Sequence, residues 1–287
     1  MITSVKEILT KAKDGGYAVG AFNTLNLEVT HAIVQAAKEM RSPIIIQITE
    51  KTMEYAGGRA IFNLVKNISE FYAAEIPIGI HLDHGHSFEA IKRAINIGFT
   101  SVMYDGSRKK YEDNLMSTKE IVDFCHEKGV AVQAELGCVP YLGEIEIVDE
   151  EWVKYMTDPG QAEDFIKKTG VDALAVGIGN AHGFFKEKKK PDYDRLDMIR
   201  KAINIPLILH GASDWENGKV VEAIQKGISC FNVDTAIRLS FVNSLASNVM
   251  KQGPINLDAR KFLGDARNSV TNVVKEKIKM FGSDSKA

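Results

Sequence analysis

The sequence has few of the features that mark many protein classes. Its 287 residues include three cysteines, Cys125, Cys138 and Cys230. An odd, widely spaced set gives neither a disulfide framework nor a zinc-knuckle pattern, and it suits a reducing cytoplasm. Cys125 sits in a helical stretch and Cys230 opens an apolar strand, so both read as buried filler. Cys138 follows a strand-like run, a place from which it could reach a site. No apolar run approaches the ~18–20 residues of a membrane span. The opening MITSVKEILTKAKDGG reads as an amphipathic helix carrying lysines, not as a signal peptide. A formal net charge of −2 argues against nucleic acid or an anionic membrane as the main partner. No G-x-G-x-x-G follows the first strand, and no low-complexity segment or linker divides the chain.

What is present is a large, regular globular sequence. Hydrophobic residues make up 45% and charged residues 26%, both ordinary for a soluble fold. Short β-rich runs recur: YAVGAFN (17–23), SPIIIQIT (42–49), IPIGIHLD (76–83), SVMYDGS (101–107), AVQAELG (131–137), ALAVGIG (173–179), IPLILHG (205–211) and CFNVDT (230–235). Most are continuously apolar, as strands covered on both faces should be. Helical stretches separate them. One places Val29, Ile33, Val34 and Ala37 at helical spacing, and four others end in a glycine stop before the next strand. Eight such β–α units predict a single (β/α)8 TIM barrel over residues 1–287, close to the roughly 250 residues typical of that fold. Beyond residue 236 the pattern is helical, giving extra C-terminal helices.

Polar residues gather at one end of these strands, the end that carries the active site in a barrel. Asn23 ends the first strand and Thr49 the second, followed by Glu50 and Lys51. Asp83 and His84 end the third, Asp105 and Ser107 the fourth, and Glu135 the fifth. The sixth leads to His182, the seventh ends at His210, and the eighth carries Asn232, Asp234 and Thr235. A single histidine at a strand end usually has a structural role, and a polar residue there often caps the next helix. The coincidence at eight strand ends points to a site. His84, His182 and His210 come from three strands and could converge on a divalent metal such as Zn2+ with one coordination position open. Asp105 and Glu135 could orient those rings or hold a displaced, second or monovalent cation. The Gly183 and Gly211-Ala212-Ser213 segments, with Thr235, would let backbone N–H groups and hydroxyls approach a phosphate. Lys186 could add positive charge. A metal beside an anion cradle suits a phosphorylated, carbonyl-bearing small molecule.

The motifs YAVGAFN, HLDHG, SVMYDGS, AELG, AVGIGNAHG, LILHGAS and FNVDT, in this order and spacing, resemble the class II (zinc-dependent) fructose-bisphosphate and tagatose-bisphosphate aldolase family over about residues 2–281. The resemblance implies a cytoplasmic lyase of sugar-phosphate metabolism, a homodimer or homotetramer, using one catalytic zinc held by His84, His182 and His210. It implies that Asp83 takes the C4 hydroxyl proton while zinc stabilises the charge that develops as the C3–C4 bond breaks. Gly183, Gly211, Ser213, Asp234 and Thr235 match its phosphate-binding positions, and Asn232 its contact to the dihydroxyacetone phosphate unit. Arg260 matches an arginine that reaches the second phosphate from a neighbouring subunit. Glu144 and Glu146 are candidates for handling the C3 proton. The chain departs from the family at several points. Pro140-Tyr141 stands in place of a glycine pair, and Ala259 in place of a proline. Lys51 and Asp214 occupy positions where glycine is common.

Strict alternation would send Asp83 and His84 to opposite sides of a strand, so both can serve only if the chain turns there, beside Gly85. His81 reads as a hydrogen-bonded structural residue and His86 as loop. Two other readings follow from the same residues. One is a sugar-phosphate-binding barrel with altered catalysis. The other is a metal-dependent hydrolase of the amidohydrolase kind, built on His84, His86, His182, His210 and Asp234.

Overall fold

The computed structural model describes residues 2–141, 152–183, 190–252 and 258–287. Among these, eight parallel strands close in sequence order into a barrel: β1 Val19–Asn23, β2 Ile44–Thr49, β3 Ile78–Gly85, β4 Ser101–Tyr104, β5 Ala131–Leu136, β6 Ala173–Val176, β7 Leu207–Leu209 and β8 Ile228–Val233. Closure comes from β1 pairing with β8, with Ala21 opposite Asn232. The helices are α1 Val5–Gly15, α2 Leu27–Met40, α3 Glu50–Ala56, α4 Gly58–Tyr72, α5 Phe88–Ile97, α6 Tyr111–His126, α7 Pro159–Thr169, α8 Tyr193–Ala202, α9 Asn217–Gln225, α10 Thr235–Gln252 and α11 Ala259–Phe281. A short 3-10 turn, Trp152–Tyr155, precedes α7.

Period-two alternation decides what each strand residue does. In β2, Ile44, Ile46 and Ile48 join the large apolar layer between barrel and helices, whereas Ile45 faces the interior. In β3, Ile78, Ile80 and Leu82 pack outward. His81 and Asp83 occupy the alternate, inward positions. The runs read as uniformly apolar because both faces are buried. The inward face is apolar only low in the barrel, where Val19, Ala21, Ile45, Ala173, Ala175, Ile208 and Cys230 cluster. Val5, Ile8, Leu9 and Ala12 of α1 pack into that same cluster, so the predicted N-terminal helix closes the barrel floor. Higher up, the inward positions are Asn23, Gln47, Asp83, Gln133, Glu135, His210 and Asn232, all buried.

Several strand bounds differ from expectation. β4, β6 and β7 stop early, at Tyr104, Val176 and Leu209, and β3 continues to Gly85. The chain leaves the ladder where polar groups must turn toward the mouth. β8 begins at Ile228, so Cys230 lies within the strand instead of opening it, and its thiol is buried. The four glycine stops, Gly98, Gly129, Gly170 and Gly227, all have positive φ. No helix among the described residues is long and apolar enough to cross a membrane.

Candidate active site

The end of β3 breaks its own alternation. His84 has φ 50°, in the left-handed region. The register against β4 shifts between Leu82 and Gly85. A non-glycine residue held there costs on the order of 1–3 kcal/mol. Glycine is required next to it, because a Cβ at Gly85 would lie 2.8 Å from the Met103 carbonyl oxygen. This kink puts Asp83 and His84 in the same mouth, with His84 Nε2 3.9 Å from Asp83 Oδ1.

Three imidazoles meet above Asp83. Nitrogens of His84, His182 and His210 lie within 4.8 Å of one another, and His210 Nδ1 is 3.2 Å from His84 Nε2. His84 Nδ1–H donates to Asp105 Oδ2 at 2.8 Å, which leaves Nε2 facing the other two rings. Asp105 Oδ1 accepts in turn from the Ser107 amide at 3.1 Å and its hydroxyl at 2.7 Å. Burial would depress His84, but Asp83, Asp105 and Glu135 outweigh it and raise its pKa to about 10. Burial would raise Asp105, but the hydrogen bond and charge of His84 hold it well below the usual carboxylate range. His210 is fully buried, and burial followed by its neighbours His84 and His182 keeps it neutral. Its Nε2 lies 3.1 Å from Gln133 Nε2 and 3.0 Å from Asn232 Nδ2.

Glu135 lies 3.7 Å from His210 Nδ1. Its Oε1 accepts from the Val139 amide at 3.0 Å, and its Oε2 is buried with no well-formed hydrogen bond. Burial and the Asp105 charge push its pKa up to about 7. With His84 and Asp105 it forms a second group with cation-ligand spacing.

Asp83 is clamped by three amides. Asn23 Nδ2 donates at 2.8 Å, Gln47 Nε2 at 3.3 Å and Asn232 Nδ2 at 3.3 Å. Asn232 Oδ1 and Gln47 Oε1 are buried without partners. Gln47 and Gln133 were not singled out from the sequence. Their only mark in the sequence is a weak one, a lone amide inside the apolar strands IIIQIT and AVQAEL.

The remaining candidates divide. Gly211 has φ 66°, and a Cβ there would lie 2.4 Å from the Ala181 carbonyl carbon and oxygen and 2.9 Å from the His182 nitrogen. It permits a close approach, which brings the end of β7 against the segment carrying His182. Ala212 and Ser213 are buried beside it. Thr235 begins α10, and Asp234 before it pairs with Arg238 at 2.8 Å, while burial raises its carboxyl. Gly183 follows His182 with φ 102°. Thr49 caps α3, accepting from the Thr52 amide at 3.1 Å. Arg260 sits at the start of α11 with a side chain 91% exposed and pairs with Asp258. No contact among the described residues takes it to the histidines. His81 donates to or accepts from Ser101 at 2.8 Å, and burial brings its pKa down to about 4. His86 is exposed, with its ring 3.8 Å from Asp105. Glu144, Glu146 and Lys186 lie outside the described residues.

The sequence profile described as "Fructose-bisphosphate aldolase class-II" matches residues 3–286. The chain belongs to that family. It is 41% identical to a fructose-bisphosphate aldolase of Thermus caldophilus, over all of both chains. It is 40% identical to one of Geobacillus stearothermophilus, over 100% of this chain and 99% of the other. The crystal structure of the YdjI aldolase from Escherichia coli K12 superposes with a TM-score of 0.86 at 32% identity, each chain covered completely. The protein is an aldolase, hence a lyase, of a family that is metal-dependent and acts on sugar phosphates. The hydrolase reading falls with this membership. His86, 64% exposed, also belongs to neither group with metal-ligand spacing among the described residues.

Proposed function

We propose that this class-II aldolase reversibly cleaves a ketose 1,6-bisphosphate, of the fructose or tagatose configuration, to dihydroxyacetone phosphate and glyceraldehyde 3-phosphate. The observation that carries the reading is the meeting of His84, His182 and His210 beside a clamped Asp83. Three nitrogens with this spacing fit zinc, and Asp105 orients one of the rings as carboxylates do in metal sites. Zinc there would supply Lewis acidity at the ketose carbonyl and an electron sink for the breaking C3–C4 bond.

The remaining steps belong to the chain's own groups. Asp83 removes the C4 hydroxyl proton as C3–C4 breaks and returns it in the condensation direction. Asn23, Gln47 and Asn232 fix its carboxylate, so little reorientation is needed at the moment of transfer. The orphaned Asn232 Oδ1 would accept a hydroxyl of the dihydroxyacetone phosphate unit. Gly183, Gly211, Ala212, Ser213, Asp234 and Thr235 form the cradle for one phosphate, with the α10 N-terminus behind Thr235 adding a favourable field. Lys186 would reinforce it. Arg260 would serve the other phosphate from a neighbouring subunit in a homodimer or homotetramer, its exposure leaving it free to cross an interface. Glu144 or Glu146 would deliver the C3 proton. Glu135 and Asp105 offer a second position for a displaced or monovalent cation. We take residues 1–287 as one catalytic domain, working in cytoplasmic glycolysis-type metabolism.

The test is a coupled triose-phosphate assay with fructose and tagatose bisphosphates, on zinc-loaded and chelator-treated protein. Turnover of one of them, abolished by chelation and restored by zinc, supports the proposal. No turnover of either at full zinc occupancy would favour a sugar-phosphate binder with altered catalysis.

A further inference from the structure

Two of the three histidines have in-plane partners in the cluster. His84 is fixed in its ring plane by Asp105, and His210 in its plane by the amides of Gln133 and Asn232. His182 has, besides its other contacts, a ring against its face. The Tyr141 ring stacks on it with centroids 4.5 Å apart and planes inclined by 19°. The backbones are joined as well. Tyr141 and His182 form an isolated parallel bridge, and the His182 amide donates to the Pro140 carbonyl at 2.9 Å. The 138–141 segment leaving β5 is thereby stitched to the segment leaving β6. These are the two residues that stand where the family resemblance calls for a glycine pair, which could supply no ring.

We propose that Tyr141 is a positioning residue for His182, its ring clamping the imidazole in the orientation that presents a nitrogen to the metal. A hydrogen-bonding partner occupies a ring nitrogen, whereas a stacked ring fixes the imidazole plane without touching either one. The His182 ring centroid lies 5.6 Å from that of His84 and 6.0 Å from that of His210, with planes inclined by 68° and 69°. Tyr141 is 49% exposed, so its ring also forms part of the rim over that ligand. Losing the stack removes one restraint on the imidazole plane, and that part of the ordering has to be supplied on metal binding instead.

This inference rests on His182 being a ligand, as proposed above. The experiment measures zinc affinity by chelator competition on the full chain, together with the visible spectrum of the cobalt-substituted protein. Tyr141→Leu keeps apolar volume and removes the stack. It should weaken zinc binding about tenfold and alter the cobalt bands, within the range seen when groups supporting a metal ligand are removed. Tyr141→Phe keeps the ring and should stay within about twofold of the parent. The proposal is overturned if Tyr141→Leu binds within twofold with an unchanged cobalt spectrum. It is equally overturned if Tyr141→Phe falls as far as Tyr141→Leu, because the hydroxyl would then be responsible. Should Tyr141→Leu misfold by circular dichroism, Tyr141→Trp decides, with parent-like affinity supporting the clamp and a tenfold loss refuting it. His182→Ala with undiminished affinity would remove the ligand assignment itself, a result separate from any change at Tyr141.

Discussion

The division of labour between Asp83 and His84 is the sharpest question for single residues. Adjacent in sequence, they serve different partners, three amides for one and Asp105 with the other imidazoles for the other. Asp83→Ala should therefore retain zinc while kcat falls by about 10²–10⁴, the range for losing a general acid–base group. Metal analysis beside the coupled assay reads both, and zinc loss would refute the division. His210→Ala should lose metal and turnover together, since that ring is fully buried in the cluster. Protons compete with the metal at His84. Its pKa, raised to about 10, lies above the ordinary 6.5. The protonated ring thus stabilises the fold fully below about 6.5, and that contribution is lost as pH rises through about 10. Zinc must displace this proton. Zinc uptake at pH 8 should release close to one proton, and affinity should rise by about tenfold per pH unit toward 10. Calorimetry in buffers of different ionisation enthalpy measures the release; a value near zero would show that His84 is already neutral.

At the scale of elements, the strand ends do most of the positioning, and this is where the sequence was most and least readable. The eight runs, the helices between them and the polar residues at one end were legible because burial and period leave a pattern in the letters. The turn at His84 was legible too, since two useful residues in a row need a kink and a glycine follows. Gln47 and Gln133 were not, because one amide in an apolar strand looks like an accident until the barrel closes around it. At Gly211 the letters point to room for an anion, and the structure adds a steric demand, the Ala181 carbonyl at the place of a Cβ. Gly211→Ala should cost on the order of 2–4 kcal/mol from left-handed backbone and overpacking together. It should also push His210 away from His182. Denaturant unfolding and zinc affinity would both fall. A variant that lost neither would show that this approach is not needed.

Across the whole molecule, the barrel is filled from below by α1 and opened above by polar side chains. Stability and chemistry are therefore separable along the barrel axis. Ile8→Ala, at the floor, should destabilise the fold by roughly 2–4 kcal/mol, the usual cost of emptying a buried Ile site. The turnover of the folded fraction should be unchanged. A combination of thermal melts and active-site titration checks this, and a fall in turnover per active site would mean the floor and the mouth are coupled. The plug has a kinetic corollary. A vessel sealed at its base has one doorway, so the triose leaving and the ketose arriving must take turns at the same threshold. A bulky group tethered at the rim would then slow traffic in both directions alike.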